Sequence, residues 1–312
     1  MTINLITSLQ EAFGLSEAKV LHLIARSPYS YKIYTIPKKS GGERVIAQPA
    51  KETKYIQHWL IENVFSRLPI HQCASAYRTG ASIKLNAAAH RKNKYLSKFD
   101  FKNFFVSIRE GDLINHFIRH LGADFSVVDL ARIARLSCIR SKDTKRLTLS
   151  IGAPSSPILS NSIMFAFDEK VYQWCKERSI TYTRYADDLA FSTNVKDICS
   201  DIEPMIIDVI KSLVYPSLLI NRDKTIHLSK KTQRRVTGVV INNENELSIG
   251  RDRKRAISAL IHRYSFGALS KDEVHSLQGM LGFARDIEPQ FVFSMRKKYT
   301  SKLIDEILQM RK

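Results

Sequence analysis

Two adjacent aspartates interrupt a stretch of strand-forming residues at positions 180–192, and this feature constrains the fold more than any other in the chain. β-Branched and aromatic residues alternate on both sides with period two, which predicts a strand, a tight turn at residues 185–188 and a second strand. Asp187 and Asp188 repel one another unless a cation such as Mg²⁺ neutralises them. Aspartate is also common at solvated hairpin tips, so the pair alone leaves a metal site and a plain turn as alternatives.

A third acid ends another predicted strand. Residues 95–101 alternate as a strand and place Asp100 near its end. The two acidic strands become neighbours in one antiparallel sheet if helices cross between them, as in a split βαβ arrangement. Three carboxylates then converge, and two divalent ions held by shared carboxylates promote in-line phosphoryl transfer. Because successive strand side chains point to opposite faces, we expect Asp100 and Asp187 to be the chief ligands, ahead of Asp188.

The charge of the chain indicates a polyanionic partner. The 49 Lys and Arg against 30 Asp and Glu give a formal net charge of +19 and a pI near 9.8, which suits a polynucleotide substrate. The sequence shows neither an apolar run of transmembrane length nor a secretory leader pattern, so we expect a cytoplasmic protein without a membrane partner. Four widely spaced cysteines without a C-x-x-C pair predict reduced thiols.

A basic hairpin is predicted near the amino terminus. Residues 31–36 and 44–48 alternate as strands around a turn. Lys38, Lys39 and Arg44 are then placed to face phosphates, although a solvated charged loop has the same pattern.

Helical periodicity predicts most of the remaining elements. Two short helices broken at Gly14 occupy residues 4–26, and one long helix from about 158 to 176 carries Asp168 and Glu169 outside its apolar stripe. The other predicted helices lie at 51–67, 82–90, 112–138 (two helices) and 198–213. Residues 236–241 read as one strand with an internal glycine.

The tail beyond Gly250 is predicted to form three basic amphipathic helices. It carries 13 Lys and Arg against 7 Asp and Glu in residues 250–312. A solvated helix face normally mixes both signs, so this excess indicates a function.

In combination these motifs resemble the reverse transcriptases, and among them the retron type of bacteria, over nearly the whole chain. Residues 185–188 resemble the Y-x-D-D signature, the Asp100 strand resembles the other metal-binding strand, and residues 152–157 resemble the nucleotide-pocket loop. Residues 86–90 and 236–238 match two further motifs that mark retron enzymes and favour them over group II intron relatives.

The resemblance implies an α+β fold, namely a right-hand polymerase with fingers, a ferredoxin-like palm of antiparallel sheet with helices, and a helical thumb. It assigns residues 1–93 to the fingers with the amino-terminal helices, 94–245 to the palm with the catalytic acids, and 246–312 to the basic thumb.

The resemblance also implies residue roles. The catalytic residues are Asp100, Asp187, Asp188 and Lys224, and Lys224 either protonates the departing pyrophosphate or only holds phosphate. The ligands of two Mg²⁺ ions, with Mn²⁺ as a substitute, are the same three acids and the backbone of Phe101. The nucleotide contacts are Lys38, Lys39, Arg44, Phe105, Gly152 and Ala153. Phe105 excludes a 2′-hydroxyl in this interpretation, and simple core packing is the alternative. The RNA and primer contacts are Asn86, His90, Val236, Thr237, Gly238, Arg251, Arg253, Arg255, Arg263, Lys297 and Lys298.

One position departs from the family pattern. The residues before Gly152 usually read Leu-Pro-Gln, whereas residues 149–151 are Leu-Ser-Ile here. The side chain of Ile151 cannot form a hydrogen bond. If the usual glutamine helps to position the nucleotide, we expect the geometry of the pocket or the fidelity of synthesis to differ from that of the family.

The resemblance further implies a cognate structured non-coding RNA that serves as template and primer, with synthesis from the 2′-hydroxyl of an internal guanosine. Deoxynucleoside triphosphates would be the substrates and a branched RNA–DNA hybrid (msDNA) the product, in anti-phage defence alongside a separate effector protein. Three alternatives stay open: a scaffold for an RNA–DNA hybrid that restrains an effector, another bacterial reverse transcriptase class, and a palm polymerase that makes RNA.

Overall fold

The computed structural model describes residues 3–38, 41–141 and 143–310. The α-helices are α1 (Leu5–Phe13), α2 (Glu17–Arg26), α3 (Lys51–Asn63), α4 (Ile83–His90), α5 (Phe104–Ser107), α6 (Glu110–Leu121), α7 (Val127–Ser137), α8 (Ser156–Ile163), α9 (Phe165–Glu177), α10 (Ile202–Ser212), α11 (Arg251–Ser265), α12 (Lys271–Ile287), α13 (Pro289–Tyr299) and α14 (Ser301–Gln309). The strands are β1 (Tyr31–Pro37), β2 (Glu43–Pro49), β3 (Tyr95–Asp100), β4 (Ile139–Arg140), β5 (Leu147–Thr148), β6 (Thr181–Tyr185), β7 (Asp188–Thr193), β8 (Ile226–Ser229), β9 (Arg234–Val236), β10 (Val239–Ile241) and β11 (Leu247–Ser248).

Within the described residues, the strands form four small sheets. The largest has the order β6-β7-β3-β8, so the strand that ends in Asp100 is a direct neighbour of the strand that begins at Asp188. This confirms the prediction that the acidic strands are adjacent in one sheet. A second sheet has the order β11-β10-β9, β4 pairs with β5, and β1 pairs with β2 as the predicted hairpin, in antiparallel register from Tyr31 opposite Pro49 to Pro37 opposite Glu43.

Capping residues set the limits of the first two helices as the sequence predicts. Gly14 ends α1 in the left-handed region with φ +63, which glycine adopts without steric cost. The Ser16 hydroxyl accepts a hydrogen bond from the Lys19 backbone nitrogen and begins α2. The predicted break at Gly14 is therefore confirmed.

The predicted long helix at 158–176 is instead two helices, α8 and α9, with Met164 between them. The placement of Asp168 outside the apolar stripe is also wrong, because its side chain is completely buried. A buried carboxylate is retained when a cation and hydrogen-bond donors compensate it, and Arg184 and Tyr182 do so here.

Two predictions in the carboxyl-terminal third are wrong in their boundaries. Residues 236–241 do not form one strand, because Thr237 (φ +45) and Gly238 (φ +84) turn the chain between β9 and β10. Positive φ at both central residues is what a tight two-residue hairpin requires. The described part of the tail, up to residue 310, has four helices, not three, because Pro289 begins α13 and Thr300 caps α14 through its side chain.

The chain divides into two compact units. The first comprises residues 1–79, 98–189 and 200–225, and the second comprises 80–97, 190–199 and 226–312. The second unit packs α11–α14 around a core with the β9–β10 hairpin and α4, and this core includes Val239, Leu277 and Ile304. Among the described residues, no helix is long and apolar enough to cross a membrane.

Candidate active site

The turn between β6 and β7 carries two of the predicted acids. Ala186 occupies the left-handed region with φ +56, and its carbonyl accepts a hydrogen bond of 3.1 Å from Nη1 of Arg184. The carbonyl of Asp187 accepts a hydrogen bond of 3.2 Å from the backbone nitrogen of Phe101, the residue that follows β3. The turn is therefore tied to the end of the strand that carries Asp100.

Asp100 is buried at the end of β3. Besides the turn between β6 and β7, the segment at residues 220–224 also contacts it. The backbone nitrogen of Asn221 donates to the Asp100 carbonyl at 2.7 Å, and Phe101 forms an isolated antiparallel bridge with Ile220. The Nζ of Lys224 lies 2.9 Å and 3.0 Å from the two carboxylate oxygens of Asp100. The structure thus brings Lys224, predicted as a catalytic residue, into direct contact with one of the acids.

The three carboxylates influence one another electrostatically. Burial, followed by the negative charges of Asp100 and Asp188, raises the pKa of Asp187 to about 6. Burial also raises the pKa of Asp188, against the opposing influence of Lys98. The net pKa of Lys224 is raised because its hydrogen bond to Asp100 and the three negative charges outweigh the cost of burial. Lys224 therefore neutralises an acidic cluster that carries excess negative charge.

The acids suit a divalent cation, since hard ions of this kind prefer carboxylate oxygens and Lys224 shows that a positive charge is accepted there. Within the described part of the chain, a tighter group of ligand atoms is formed by His71, Cys73 and Asp168, within 4.8 Å of one another. The two oxygens of Asp168 already accept bonds from the Arg184 guanidinium and the Tyr182 hydroxyl, and burial and the Asp168 charge raise the pKa of the Cys73 thiol. The adjacent guanidinium and the neutral thiol make this second group a poor cation site.

Phe105 is the outermost ring of an aromatic row. Phe167, Phe101, Phe104 and Phe105 follow one another with ring centroids 5.6, 5.8 and 5.4 Å apart. Phe104 is buried and carries the packing, whereas Phe105 is only half-buried. The partial exposure of Phe105 leaves its ring accessible to a ligand.

The predicted nucleotide-pocket loop is anchored to the basic hairpin. The backbone nitrogen of Ala47 in β2 donates to the Ile151 carbonyl at 2.8 Å, and the Ser150 hydroxyl donates to the Ala47 carbonyl at 3.3 Å. Gly152 has φ +116, and a Cβ there would lie 3.0 Å from the Ala47 carbonyl oxygen. Only glycine fits this position, and Ile151 contributes through its backbone, not its side chain.

The other predicted nucleotide contacts are placed around this loop with different exposure. Ala153 is buried, whereas Lys38 and Arg44 of the hairpin are exposed. Lys39 lies outside the described residues.

Two of the predicted RNA-contact motifs touch each other within the second unit. The amide nitrogen of Asn86 in α4 lies 3.4 Å from the Thr237 hydroxyl, which in turn donates to the Ile83 carbonyl. His90, one turn further along α4, is buried and lies 2.7 Å from the Ser192 hydroxyl. Val236 is part of the core. The motifs thus form one packed element around the β9–β10 turn.

The buried imidazole of His90 predicts an acid-dependent loss of stability. Burial lowers its pKa to about 3, whereas the unfolded chain binds a proton near pH 6.5. The unfolded state therefore binds more protons between these values, and stability falls as the pH falls below about 6.5. Between pH 6 and pH 5, urea titration should show the free energy of unfolding of the wild type falling by about 1 kcal/mol more than that of His90→Asn. An exposed-site control, His58→Asn, should follow the wild type, and parallel curves for all three proteins would contradict this interpretation.

The basic residues of the tail differ in their contacts and exposure. Nη1 of Arg253 donates to the Gly238 carbonyl at 2.7 Å, and Arg263 pairs with Glu273 at 2.9 Å. Both therefore support the protein's own structure. The remaining four predicted contacts in the tail, Arg251, Arg255, Lys297 and Lys298, are exposed, and the two lysines lie over aromatic rings.

Sequence reasoning missed the fully buried ion pair between Arg184 and Asp168, whose closest atoms are 2.6 Å apart. Nη1 of Arg184 also lies 3.2 Å from the Asn161 side-chain oxygen, and the Asn161 amide donates to the Ala76 carbonyl at 2.7 Å. An arginine inside a predicted strand, next to Tyr185, could have indicated a buried ion pair, but nothing in the sequence identifies Asp168 as its partner.

The sequence of the chain is similar to those of known reverse transcriptases. A family model described as "Reverse transcriptase (RNA-dependent DNA polymerase)" matches residues 36–241. The chain is 38% identical to the Retron Ec83 reverse transcriptase of Escherichia coli over 98% of each chain, and 34% identical to the Retron Ec73 reverse transcriptase of the same species over 90% of each. A solved structure of apo telomerase from Candida tropicalis aligns with a TM-score of 0.49 and 14% identity, over 90% of this chain and 61% of that one.

Proposed function

The chain belongs to the reverse transcriptases of the retron type and is an RNA-directed DNA polymerase, and from this premise we propose that it copies part of one cognate structured non-coding RNA. In this proposal synthesis begins at a 2′-hydroxyl of that RNA, consumes deoxynucleoside triphosphates and yields a branched RNA–DNA hybrid. The observation that carries the polymerase chemistry is the meeting of Asp100, Asp187 and Asp188 at the ends of two neighbouring strands, with Lys224 against them. The similarity to retron reverse transcriptases supports the cognate RNA and the branched product.

The family generally uses divalent metal, and we propose two Mg²⁺ ions, replaceable by Mn²⁺, held by the three acids and the Phe101 backbone. Bound there, the ions would supply charge stabilisation for the hydroxyl that attacks and the oxygen that leaves. The raised pKa of Lys224 keeps its ammonium protonated. The contact of its Nζ with Asp100, on a side chain that is otherwise exposed, places Lys224 to donate a proton to the departing pyrophosphate or to hold its charge.

The nucleotide would be held by the elements beside the acids. We assign Phe105 to the sugar, because its ring is the exposed end of the aromatic row. Gly152 and Ala153 belong to a loop fixed to β2, and the exposed cations Lys38 and Arg44 would face the triphosphate.

The proposed architecture is a right hand with fingers at 1–93, a palm at 94–245 and a thumb at 246–312. In this division the basic tail tracks an RNA–DNA duplex through phosphate and 2′-hydroxyl contacts. We assign Arg251, Arg255, Lys297 and Lys298 to these contacts because they are exposed. Arg253 and Arg263 act by supporting the turn at Gly238 and the end of α11.

The packed element around Asn86, His90 and the β9–β10 turn would present a surface to the cognate RNA. The resemblance to retron enzymes also supports a role in anti-phage defence with a separate effector protein.

Isolation of the protein from its host, followed by sequencing of the bound nucleic acid, tests the proposal. We expect one RNA species joined to one DNA by a 2′-linked branch that a debranching enzyme cleaves. A ribonuclease-treated control should retain the short RNA remnant at the branch. A collection of unrelated RNAs, or DNA with an ordinary linear 5′ end, would overturn the dedicated-template proposal.

A further inference from the structure

Tyr77 is an aromatic residue to which the proposed roles assign nothing. It is 48% exposed, and its φ of +54 lies in the left-handed region that bulky side chains avoid. Backbone strain of this kind persists where the surrounding structure enforces it, and such positions cluster at functional sites. An exposed, strained tyrosine therefore requires both a structural cause and a use.

The cause is a set of main-chain bonds that fix the preceding residues. The backbone nitrogen of Arg184 donates to the Cys73 carbonyl at 2.9 Å, and the backbone nitrogen of Ser75 donates to the Arg184 carbonyl at 2.7 Å. The Asn161 amide holds the Ala76 carbonyl at 2.7 Å. The chain thus runs alongside the end of β6 and reaches position 77 in a fixed direction.

This direction leads to the catalytic acids. The ring centroid of Tyr77 lies 6.4 Å from that of Tyr185, with 42° between the ring planes. The pKa of the Tyr77 hydroxyl is raised by burial first, and then by the charges of Tyr185 and Asp187, while Arg44 opposes the increase. Tyr77 therefore lies within electrostatic range of an acid of the Y-A-D-D turn and of a cation of the β1–β2 hairpin.

We propose that Tyr77 is a substrate-contact residue whose ring, together with that of Tyr185, packs against the base of a nucleotide held beside the three acids. Every base presents a flat face, so stacking on an aromatic ring suits a polymerase that must accept all four. The base belongs either to the incoming deoxynucleotide or to the last primer–template pair. The proposal rests on the polymerase function of the same site.

The test replaces Tyr77 by glycine, because glycine removes the ring with the rest of the side chain and adopts φ +54 without strain. On a DNA primer annealed to an RNA template, we measure kcat and KM for each deoxynucleotide, and separately the Kd for the primer–template by fluorescence anisotropy. Tyr77→Gly should raise either the KM or the Kd about 5- to 150-fold, which corresponds to the ~1–3 kcal/mol of one stacked base. A raised KM assigns the base to the incoming nucleotide, and a raised Kd assigns it to the duplex. Tyr77→Phe should stay within about 2-fold of the wild type, because stacking needs the ring and not the hydroxyl.

Tyr55, an exposed tyrosine on α3, provides the matched control, and Tyr55→Ala should change neither constant. The proposal is overturned if Tyr77→Gly leaves both constants within 2-fold of the wild type, or if it lowers kcat and the melting temperature together without changing either constant. The anisotropy measurement requires no catalysis. A wild type that binds the duplex and makes no DNA would therefore contradict the polymerase function. The Kd of Tyr77→Gly for the primer–template would then decide the stacking proposal by itself.

Discussion

Replacing Asp187 and Asp188 by asparagine together should abolish deoxynucleotide incorporation, with a loss on the order of 10³-fold or more on a primed RNA template with Mg²⁺. The amide groups keep the shape of the side chains but remove two of the three charges that would hold a divalent cation in the proposed site. A loss of several kcal/mol of charge stabilisation translates into this range, because each ~1.4 kcal/mol is a factor of ten in rate. Radiolabelled primer extension measures the effect.

The stability of the same variant separates a lost function from a lost fold. Burial and mutual repulsion raise the pKa of Asp187, so the ionised group destabilises the folded chain at neutral pH. The double variant should therefore melt at the same temperature as the metal-free wild type or above it. Asp208→Asn, at an exposed acid on α10, should change neither activity nor melting. Undiminished synthesis by the double variant would disprove the metal assignment.

The single variants Asp187→Asn and Asp188→Asn test whether the two acids contribute unequally to deoxynucleotide incorporation. Asp187 lies in the turn and Asp188 begins β7, so their side chains leave different backbone conformations. The charges of both other acids act on Asp187, whereas Lys98 opposes the negative charge around Asp188, so we expect the larger loss for Asp187→Asn.

The second large effect is expected at the buried pair of Arg184 and Asp168. Asp168→Leu leaves the fully buried guanidinium without its counter-charge, and removal of one partner of such a pair costs about 3–5 kcal/mol of folding free energy. Combining it with Arg184→Met removes both charges and should recover only part of this stability, because the Tyr182 hydroxyl, the Asn161 oxygen and the Ala186 carbonyl still lose their partners. Chemical denaturation of the three variants measures these differences.

The double replacement should not restore polymerisation, because the Ala186 carbonyl also loses its hydrogen bond from Arg184. We therefore expect the double replacement to regain part of the folding stability without regaining polymerase activity. Asp124→Ala, which breaks the exposed ion pair with Arg67, should cost at most about 1 kcal/mol. If Asp168→Leu costs no more than this control, the pair does not support the turn.

Sequence periodicity predicted the strands that carry the acids, because alternation with period two survives wherever one face of a sheet is buried. It failed at Asp168, since a charged residue in a helical pattern is normally solvated and its partner lies 16 residues away in another element. It also read the segment around Gly238 as a continuous strand, because glycine and threonine occur in strands as well as in turns. The backbone before Tyr77 is fixed by main-chain bonds of Cys73 and Ser75 to Arg184, and no local sequence pattern encodes these bonds.

The Asn161 amide joins two parts of the site, since its oxygen accepts from Arg184 and its nitrogen holds the Ala76 carbonyl. The residues that meet there come from four separate stretches of the chain: 73–77, Asn161, Asp168 and 184–187. A change at one of them leaves a buried polar group of another without its partner. We therefore expect these stretches to co-evolve, because a substitution at one position is best compensated by a substitution at the residue that it leaves unpaired.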